Sequence, residues 1–149
     1  MIAYLRDFGF KYYFMAESFE TTVPYDKVLT LCDSVKRQIK DSCQKRGIAI
    51  APFVSCRVTQ LYDTGACVYF YFGFIFKGVK DPTRTFSEVE HEARECVLAC
   101  GGSLSHHHGV GKLRKAFLPD AVSPVGMGLL KGIKQHVDPT NVFGNGNLL

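Results

Sequence analysis

The spacing of apolar residues predicts two amphipathic helices. In the first, from Tyr25 to Lys45, apolar side chains recur every three or four residues and leave lysine and arginine on the other face. The apolar positions are Val28, Cys32, Val35, Ile39 and Cys43. This period is that of a helix with one buried face, which Gly47 would end. The second helix is expected to open at Asp81 and stop at Gly101, with apolar positions at Phe86, Val89, Ala93, Val97 and Leu98.

Three segments rich in aromatic and β-branched residues predict strands, and they are Lys11 to Thr22, Ile48 to Leu61 and Ala66 to Phe76. The tetrapeptide Tyr62-Asp63-Thr64-Gly65 favours a hairpin turn between the last two. In the last strand, the phenylalanines fall on one face because side chains alternate along a strand. The other face carries Cys67, Tyr69, Tyr71, Gly73 and Ile75. We expect helices to cover the phenylalanine side and the tyrosine side to look into a cavity.

Two further helices are predicted towards the carboxyl terminus, a short one from Lys112 to Leu118 and another from Val125 to His136. The order of elements is then strand, helix, strand, strand, helix, strand, helices. An α+β fold satisfies this order, with an antiparallel sheet covered by helices on one face in a ferredoxin-like layer.

Composition narrows the class of protein. The chain has 149 residues, of which 46% are hydrophobic, enough for one domain with a substantial core. The net charge is +4, and the lysines and arginines are interspersed with aspartates and glutamates instead of forming a basic cluster. We therefore expect no nucleic-acid partner. Six cysteines without a C-x-x-C pair favour reduced, buried thiols over a disulfide framework. No apolar run reaches the ~18 residues that a membrane-spanning helix needs, and no secretory signal begins the sequence.

The tract from Ser105 to Lys112 is the strongest candidate for chemistry. It contains His106, His107 and His108, with glycines on both sides. A metal site is one interpretation, and an exposed polar loop is another. In an extended segment neighbouring side chains alternate, so only the first and third histidines would converge, and no Cys, Asp or Glu is near in sequence. We therefore expect no metal, and instead imidazoles that relay protons close to a flat ligand.

Two other residues are candidates on chemical grounds. Tyr69 would exchange a proton with carbon-bound hydrogen if its phenol pointed into a cavity, although the alternative is an ordinary strand aromatic. Arg6 would hold a phosphate through a two-pronged contact. Its alternative is a surface ion pair with Asp7.

Several longer segments together resemble one family of enzymes. They are Ile2-Ala3-Tyr4-Leu5-Arg6-Asp7, Glu17-Ser18-Phe19-Glu20-Thr21, Gly65-Ala66-Cys67-Val68-Tyr69-Phe70-Tyr71-Phe72, the histidine tract followed by Gly109-Val110-Gly111-Lys112-Leu113-Arg114-Lys115, and Val137-Asp138-Pro139-Thr140-Asn141-Val142-Phe143-Gly144-Asn145. In this order they resemble the alkyldihydroxyacetonephosphate synthases, which belong to the vanillyl-alcohol-oxidase type of FAD-linked flavoproteins. The likeness covers essentially the whole chain.

The resemblance implies that residues 1–149 form the carboxyl-terminal cap, or substrate domain, of an FAD-linked enzyme. An amino-terminal domain outside this sequence would bind most of the FAD, so we expect the chain alone to be inactive. The implied reaction is an alkyl transfer in ether-lipid (plasmalogen) biosynthesis. It exchanges the acyl chain of acyl-dihydroxyacetone phosphate for a long-chain fatty alcohol through a flavin N5 adduct. A homodimer, a peroxisomal location and peripheral membrane association are expected on the same basis.

Residue roles follow from the same resemblance, position by position. Tyr69 would be the general acid/base, and His106, His107 and His108 would assist it and polarise the leaving and entering oxygens. Arg6 would hold the substrate phosphate. The last five residues would form a tail that folds back near the active site, and they are Asn145, Gly146, Asn147, Leu148 and Leu149. Gly146 departs from the basic residue expected in relatives.

Two other functions stay open. One is the cap of an FAD-dependent oxidase or dehydrogenase that acts on a hydroxy acid or a phenol. The other is a stand-alone interaction module without catalytic activity.

Overall fold

The computed structural model describes residues 2–144 and 146–149, and it contains the helices and strands that the patterns predict, with several differences. In chain order the elements are α1 (Ile2–Lys11), β1 (Phe14–Pro24), α2 (Val28–Lys45), β2 (Phe53–Leu61), β3 (Gly65–Ile75), α3 (Pro82–Ala99) and α4 (Leu118–Val137). Short 3-10 turns at Tyr25–Lys27 and Lys115–Phe117 lead into α2 and α4. The chain divides into two compact units, Met1–His106 and His107–Leu149. The first contains the sheet with α1, α2 and α3, and the second contains α4.

The apolar stripe of α2 forms one side of the core in the first unit. Val35, Ile39 and Cys43 are fully buried, as the spacing predicts, and Leu31 joins them. Val28 and Cys32 pack at the margin of this core.

The second predicted helix, α3, begins where its capping sequence indicates. The Asp81 carboxylate accepts a hydrogen bond from the Arg84 backbone N–H at 3.1 Å, which satisfies one of the donors exposed at a helix start. Pro82 occupies the first turn, where its fixed φ suits a helix. Phe86, Val89, Ala93 and Val97 are buried on the face that packs with α2 and the sheet.

The sheet is antiparallel with the order β1-β3-β2, so β3 lies at its centre. Phe70, Phe72 and Phe74 of β3 are at most 1% exposed and belong to the core with α2 and α3. The ring of Phe72 stacks on Phe86 of α3 with centroids 4.6 Å apart. The prediction that helices cover the phenylalanine side is confirmed. The turn from Tyr62 to Gly65 is confirmed as well, since the Tyr62 N–H donates to the Gly65 carbonyl at 2.8 Å.

The predicted fourth strand is wrong for the described residues, which form three. After α3 the chain does pass along the edge of β1, where the Ser103 N–H donates to the Thr22 carbonyl at 2.9 Å. The neighbouring groups bond through side chains instead. The Thr22 N–H donates to the Ser103 hydroxyl at 2.9 Å, and the Thr21 hydroxyl donates to the Ser103 carbonyl at 2.7 Å. Because side chains use the backbone groups that a ladder would need, the strand does not continue.

Two other boundaries differ from the prediction. Residues 2–11 are helical, so β1 begins at Phe14 rather than Lys11. The short helix expected from Lys112 to Leu118 is a 3-10 turn at Lys115–Phe117, and α4 begins at Leu118. Ser123 breaks α4 with φ at +67°, because Pro124 disfavours a helical conformation of the residue before it. The part of α4 after this break starts close to Val125, where a helix is expected.

None of the helices among the described residues has the length and apolar character that crossing a bilayer would require. All six cysteines are free, and Cys43 and Cys67 are fully buried. The prediction of unpaired thiols agrees with the structure, whereas the prediction of burial holds fully for these two and the other four are partly buried.

Candidate functional site on the open face of the sheet

The side of the sheet opposite α2 and α3 carries a group of polar and aromatic side chains that we call the tyrosine face. Its members are Ser18 and Glu20 of β1, Arg57 of β2, and Tyr69 and Tyr71 of β3. They share this face because side chains alternate along each strand and the register pairs Glu20 with Tyr69 and Arg57 with Tyr69. A carboxylate, a phenol and a guanidinium therefore lie in one row across three strands.

Tyr69 occupies the centre of this row and is half-buried. Its ring stacks on that of Tyr71 with centroids 5.0 Å apart, and its hydroxyl accepts a 3.5 Å contact from the Ser18 hydroxyl. The phenol is thus fixed by a neighbouring ring and strand while part of it stays accessible. This is the arrangement that proton transfer to a bound molecule requires.

Arg57 is a member of the tyrosine face that the sequence analysis missed. Its guanidinium lies 5.5 Å from the centre of the Tyr71 ring, a cation–π distance, and its side chain is exposed. An irregularity between Val58 and Gln60 shifts the register of β2 by one residue. Without that bulge, counting back from the turn would put Val58 opposite Tyr69. The pattern of the sequence gives no signal for this shift.

Glu20 is the second residue missed. Its side chain is 1% exposed, although it is a carboxylate, and the other residues of β1 on its side are apolar or carry hydroxyl groups. One carboxylate oxygen accepts from the Ser105 hydroxyl at 2.9 Å, and the other accepts from the His106 backbone N–H at 2.6 Å. Glu20 therefore attaches the start of the histidine tract to β1. A glutamate between buried strand residues was the available signal.

His106 contacts a tyrosine other than the one expected. Its Nε2 lies 2.5 Å from the hydroxyl of Tyr62 in the hairpin turn, and the two ring centroids are 5.7 Å apart. The Tyr62 hydroxyl also donates to Oε1 of Gln60 at 2.9 Å. A phenol and an imidazole at this distance form a pair that can pass a proton.

The histidine tract is bent and does not run as an extended strand. The boundary between the two units falls inside it, after His106. In the second unit His107 and His108 are exposed, and their rings meet edge to face with centroids 4.6 Å apart. The argument from strict alternation, by which His106 and His108 alone would converge, therefore does not apply to this backbone.

The glycines before the tract have a packing role. A Cβ on Gly102 would lie 2.7 Å from the Thr21 hydroxyl oxygen and 2.8 Å from a methyl carbon of Val97. Only glycine therefore lets the chain pass this close between β1 and α3. This approach makes the bonds of Ser103 and Ser105 to β1 possible.

Arg6 lies apart from Tyr69. One of its terminal nitrogens donates to a Glu17 carboxylate oxygen at 2.6 Å, and both side chains are a little under half exposed. Glu17 lies on the side of β1 opposite to Ser18 and Glu20, since neighbouring strand residues alternate. The structure brings Tyr69 and Glu20 together on one face and holds Arg6 at the other. The surface ion pair weighed for Arg6 is present, but with Glu17 in place of Asp7.

The carboxyl-terminal tail folds within the second unit. Gly146, Asn147, Leu148 and Leu149 border a cavity of about 390 Å³ together with Lys134, Asn141, Phe143 and Gly144. The Lys115 ammonium donates to the Gly146 carbonyl at 3.4 Å. Asn145 lies outside the described residues. The tail therefore packs within the second unit, and its place in an active site stays a prediction.

Comparison with known proteins gives a family and several relatives. The sequence profile described as “FAD linked oxidases, C-terminal domain” matches residues 1–148. The alkyldihydroxyacetonephosphate synthase of Caenorhabditis elegans is 50% identical over 148 residues, which cover 99% of this chain and 25% of that protein. The synthase of Trypanosoma brucei brucei is 29% identical over 150 residues, covering 99% of the chain and 24% of that protein. The chain therefore spans about a quarter of the length of these relatives.

A solved structure of an alkyldihydroxyacetonephosphate synthase has the same fold. It superposes with a TM-score of 0.65 and 23% sequence identity, covering 94% of this chain and 22% of that structure. The α+β prediction, an antiparallel sheet with helices on one face, is confirmed at the level of the fold.

Proposed function

Since the chain belongs to the family of C-terminal domains of FAD-linked oxidases, we propose that it supplies the substrate side of an alkyldihydroxyacetonephosphate synthase active site. The main support is the position of Tyr69, a half-buried phenol on an open sheet face, in register with Glu20 and Arg57. The identity with the nematode synthase extends over nearly the whole chain, including this strand.

The proposed reaction exchanges the acyl chain of acyl-dihydroxyacetone phosphate for a long-chain fatty alcohol, as a step of ether-lipid synthesis. A fatty acid leaves, the alcohol oxygen bonds to the same substrate carbon, and no net oxidation occurs. FAD, when bound, supplies the covalent partner that this carbon needs between the two steps. Tyr69 removes one proton from the carbon and later returns it, which is general acid–base work.

The histidines act on the oxygens that leave and enter. His106 is held against the Tyr62 hydroxyl at 2.5 Å, so one imidazole of the tract already takes part in a proton-sharing contact. His107 and His108 are exposed and present their rings to the surroundings. Imidazoles suit this work because their protonation changes near neutral pH.

Two arginines are available for the substrate phosphate. Arg6 offers a guanidinium fork, but Glu17 occupies one of its nitrogens, so phosphate has to displace that carboxylate. Arg57 lies on the tyrosine face itself, beside the Tyr71 ring. The resemblance assigns the phosphate to Arg6, which the pair with Glu17 holds on the opposite side of β1 from Tyr69, so Arg6 has to leave Glu17 to reach a substrate at Tyr69. Arg57 is the cation on the side where Tyr69 lies.

The fit to FAD is partial. The tyrosine face offers aromatic rings and a cation, which suit the flat end of a cofactor or its bound substrate. The sequence has no G-x-G-x-x-G segment to hold dinucleotide phosphates. Because the chain spans about a quarter of the length of its relatives, we infer that another part of the full-length protein binds most of the FAD. A homodimer, a peroxisomal location and peripheral membrane association belong to the same proposal.

The test uses the full-length protein purified with FAD. Acyl-dihydroxyacetone phosphate and a deuterated fatty alcohol are supplied, and mass spectrometry follows the label into the product and the release of fatty acid. Incorporation of the label without bleaching of the flavin spectrum supports the transferase. Bleaching by a hydroxy acid or a phenol, without incorporation, would show an oxidase or dehydrogenase. If neither response occurs and the protein binds another protein without flavin, the chain is an interaction module.

A further inference from the structure

Glu20 is a carboxylate buried in the middle of β1. It lies on β1 between Phe19 and Thr21, and its side chain is 1% exposed. Removing a carboxylate from water is costly unless hydrogen bonds replace the lost hydration. The hydrogen bonds of Glu20 therefore have to replace the water that its carboxylate loses on burial.

Both oxygens of the carboxylate point to one short segment of the chain. Oε1 accepts from the Ser105 hydroxyl at 2.9 Å, and Oε2 accepts from the His106 backbone N–H at 2.6 Å. Hydrogen bonds to an ionised acceptor are shorter and roughly twice as strong as neutral ones. Glu20 therefore holds the two residues at which the chain leaves the edge of β1 and the histidine tract begins.

The segment reaches Glu20 through a series of contacts that leave it little freedom. Gly102 passes close to Thr21, and Ser103 bonds to both backbone groups of Thr22. Glu20 adds the last attachment in the direction of the tract. Beyond it, the His106 imidazole meets the Tyr62 hydroxyl at 2.5 Å. The backbone of His106 is thus held from one side and its side chain from the other.

We propose that Glu20 is the positioning residue of the histidine tract, whose carboxylate fixes the backbone at Ser105 and His106 so that the His106 imidazole stays against the Tyr62 hydroxyl. Glu20 acts through these groups and not on the substrate. Only the expected effect on kcat rests on the proposed function, and the hydrogen bonds to the tract do not. A displacement of about 1 Å in a group that assists chemistry lowers kcat about 100-fold.

Two substitutions separate the hydrogen bonds from the charge. Glu20→Met keeps the length of the side chain but has no oxygen to accept either bond. Glu20→Gln keeps an acceptor for the His106 N–H, and its amide can donate to the Ser105 hydroxyl oxygen. Glu90 on α3 is the matched control, because it is another buried glutamate, 6% exposed, and bonds to Arg94 within the same helix. Glu90→Gln tests the effect of altering a buried carboxylate away from the tract.

The first measurement is made on the chain itself and does not depend on the reaction. In spectra of the ¹⁵N-labelled protein, the His106 amide proton is expected at low field because it bonds to a carboxylate at 2.6 Å. Glu20→Met should move it upfield and shift the Tyr62 signals, and Glu20→Gln should move it less. Glu90→Gln should leave both in place. An unchanged His106 amide in a folded Glu20→Met protein would overturn the proposal.

The second measurement is the kinetics of the full-length enzyme. We expect kcat to fall about 100-fold in Glu20→Met with KM changed less than about threefold, and to recover about tenfold in Glu20→Gln. Glu90→Gln should keep kcat even where it lowers the melting temperature. If Glu20→Met keeps its kcat, or if Glu90→Gln loses as much, Glu20 has no positioning role. If the unsubstituted enzyme exchanges no alkyl group, the proposed function fails, and the amide measurement still decides whether Glu20 holds the tract.

Discussion

The hydroxyl of Tyr62 lies 2.5 Å from Nε2 of His106, so the hairpin turn between β2 and β3 is joined to the histidine tract. The turn is itself held, because the Tyr25 hydroxyl donates to the Tyr62 carbonyl at 2.6 Å. The contact connects residues 44 positions apart in sequence, and it gives the first histidine a phenol partner other than Tyr69.

Replacing Tyr62 by Phe should loosen His106 without disturbing the core. The ring is 45% exposed, so the variant keeps its packing and loses the hydroxyl bond. We expect kcat of the full-length enzyme to fall about tenfold, the lower part of the range for a group that assists proton transfer. Tyr12→Phe, at a tyrosine 63% exposed on the surface, is the control and should keep its full rate. Equal rates for Tyr62→Phe and the parent would show that the contact has no catalytic role.

Tyr69→Phe should abolish alkyl exchange while FAD binding survives. Removing a general acid/base typically costs about 10²- to 10⁴-fold in rate, and the Phe ring still stacks on Tyr71. The measurement is kcat with the flavin absorbance as a check on cofactor content. Tyr71→Phe, next to it on the same face, is expected to retain most of the activity. A Tyr69→Phe enzyme with a normal rate would remove this phenol from the mechanism.

Substitutions at Arg6 and Glu17 should change KM in opposite directions. Arg6→Lys loses the two-pronged contact with phosphate, so KM for acyl-dihydroxyacetone phosphate should rise. Glu17→Gln removes the carboxylate that competes for Arg6, so KM should fall. Because an exposed ion pair is worth at most about 1 kcal/mol, the decrease is expected to be no more than about fivefold. The KM for a substrate analogue without the phosphate should be unchanged in both variants. If the KM for this analogue changes as much as the KM for the substrate, Arg6 does not bind the phosphate.

The contact between α2 and α3 should be sensitive to acid through Arg46. Its guanidinium donates to Glu92 at 2.6 Å and to Glu88 at 3.1 Å. The Arg46 hydrogen bond lowers the pKa of Glu92, and the bonds from Arg84 and then Arg46 lower the pKa of Glu88. A carboxylate with a lowered folded pKa stabilises the fold above its unfolded pKa, about 4.5, and loses that effect as the pH falls through the folded value.

Arg46→Met should therefore lower the free energy of unfolding by about 1 to 2 kcal/mol at pH 7, and the difference should shrink below pH 4.5. Urea unfolding at pH 7, 4.5 and 3 measures it. Lys36→Met removes an exposed pair with Asp33 and serves as the control, with a difference near zero at every pH. A constant loss for Arg46→Met at all three pH values would mean that packing, and not the ion pairs, stabilises this contact.

Cys43 should react slowly with alkylating reagents in the folded chain. Burial raises its pKa to about 11 from the usual value of 9.0, so about 100-fold less thiolate is present near pH 8. Iodoacetamide labelling, mapped by mass spectrometry, should modify Cys43 at least that much faster in urea than in buffer. Rapid labelling in buffer would show that the site opens to solvent.

Part of the site could be predicted from its residues. The alternation in β3 places Tyr69 on the face away from the phenylalanines, and the structure agrees because pleated strands leave no other arrangement once one face is buried. The stripe of α2 and the capping sequence of α3 were readable for the same reason, since each depends on contacts a few residues apart. The histidine tract was recognisable as a candidate, but its partners were not.

Contacts that depend on register or on distant segments needed the tertiary structure. Arg57 lies opposite Tyr69 only because a bulge shifts the register of β2 by one residue. No particular residue type in β2 marks the position of this bulge. Glu20 and Tyr62 meet His106 across 86 and 44 positions of sequence, and no local period encodes such contacts. The sequence by itself determined α2, α3, the three strands of the sheet and the faces of β3, because local sterics and burial act over a few residues. Only the folded chain decided which side chains meet on the tyrosine face, because that depends on how separate elements pack.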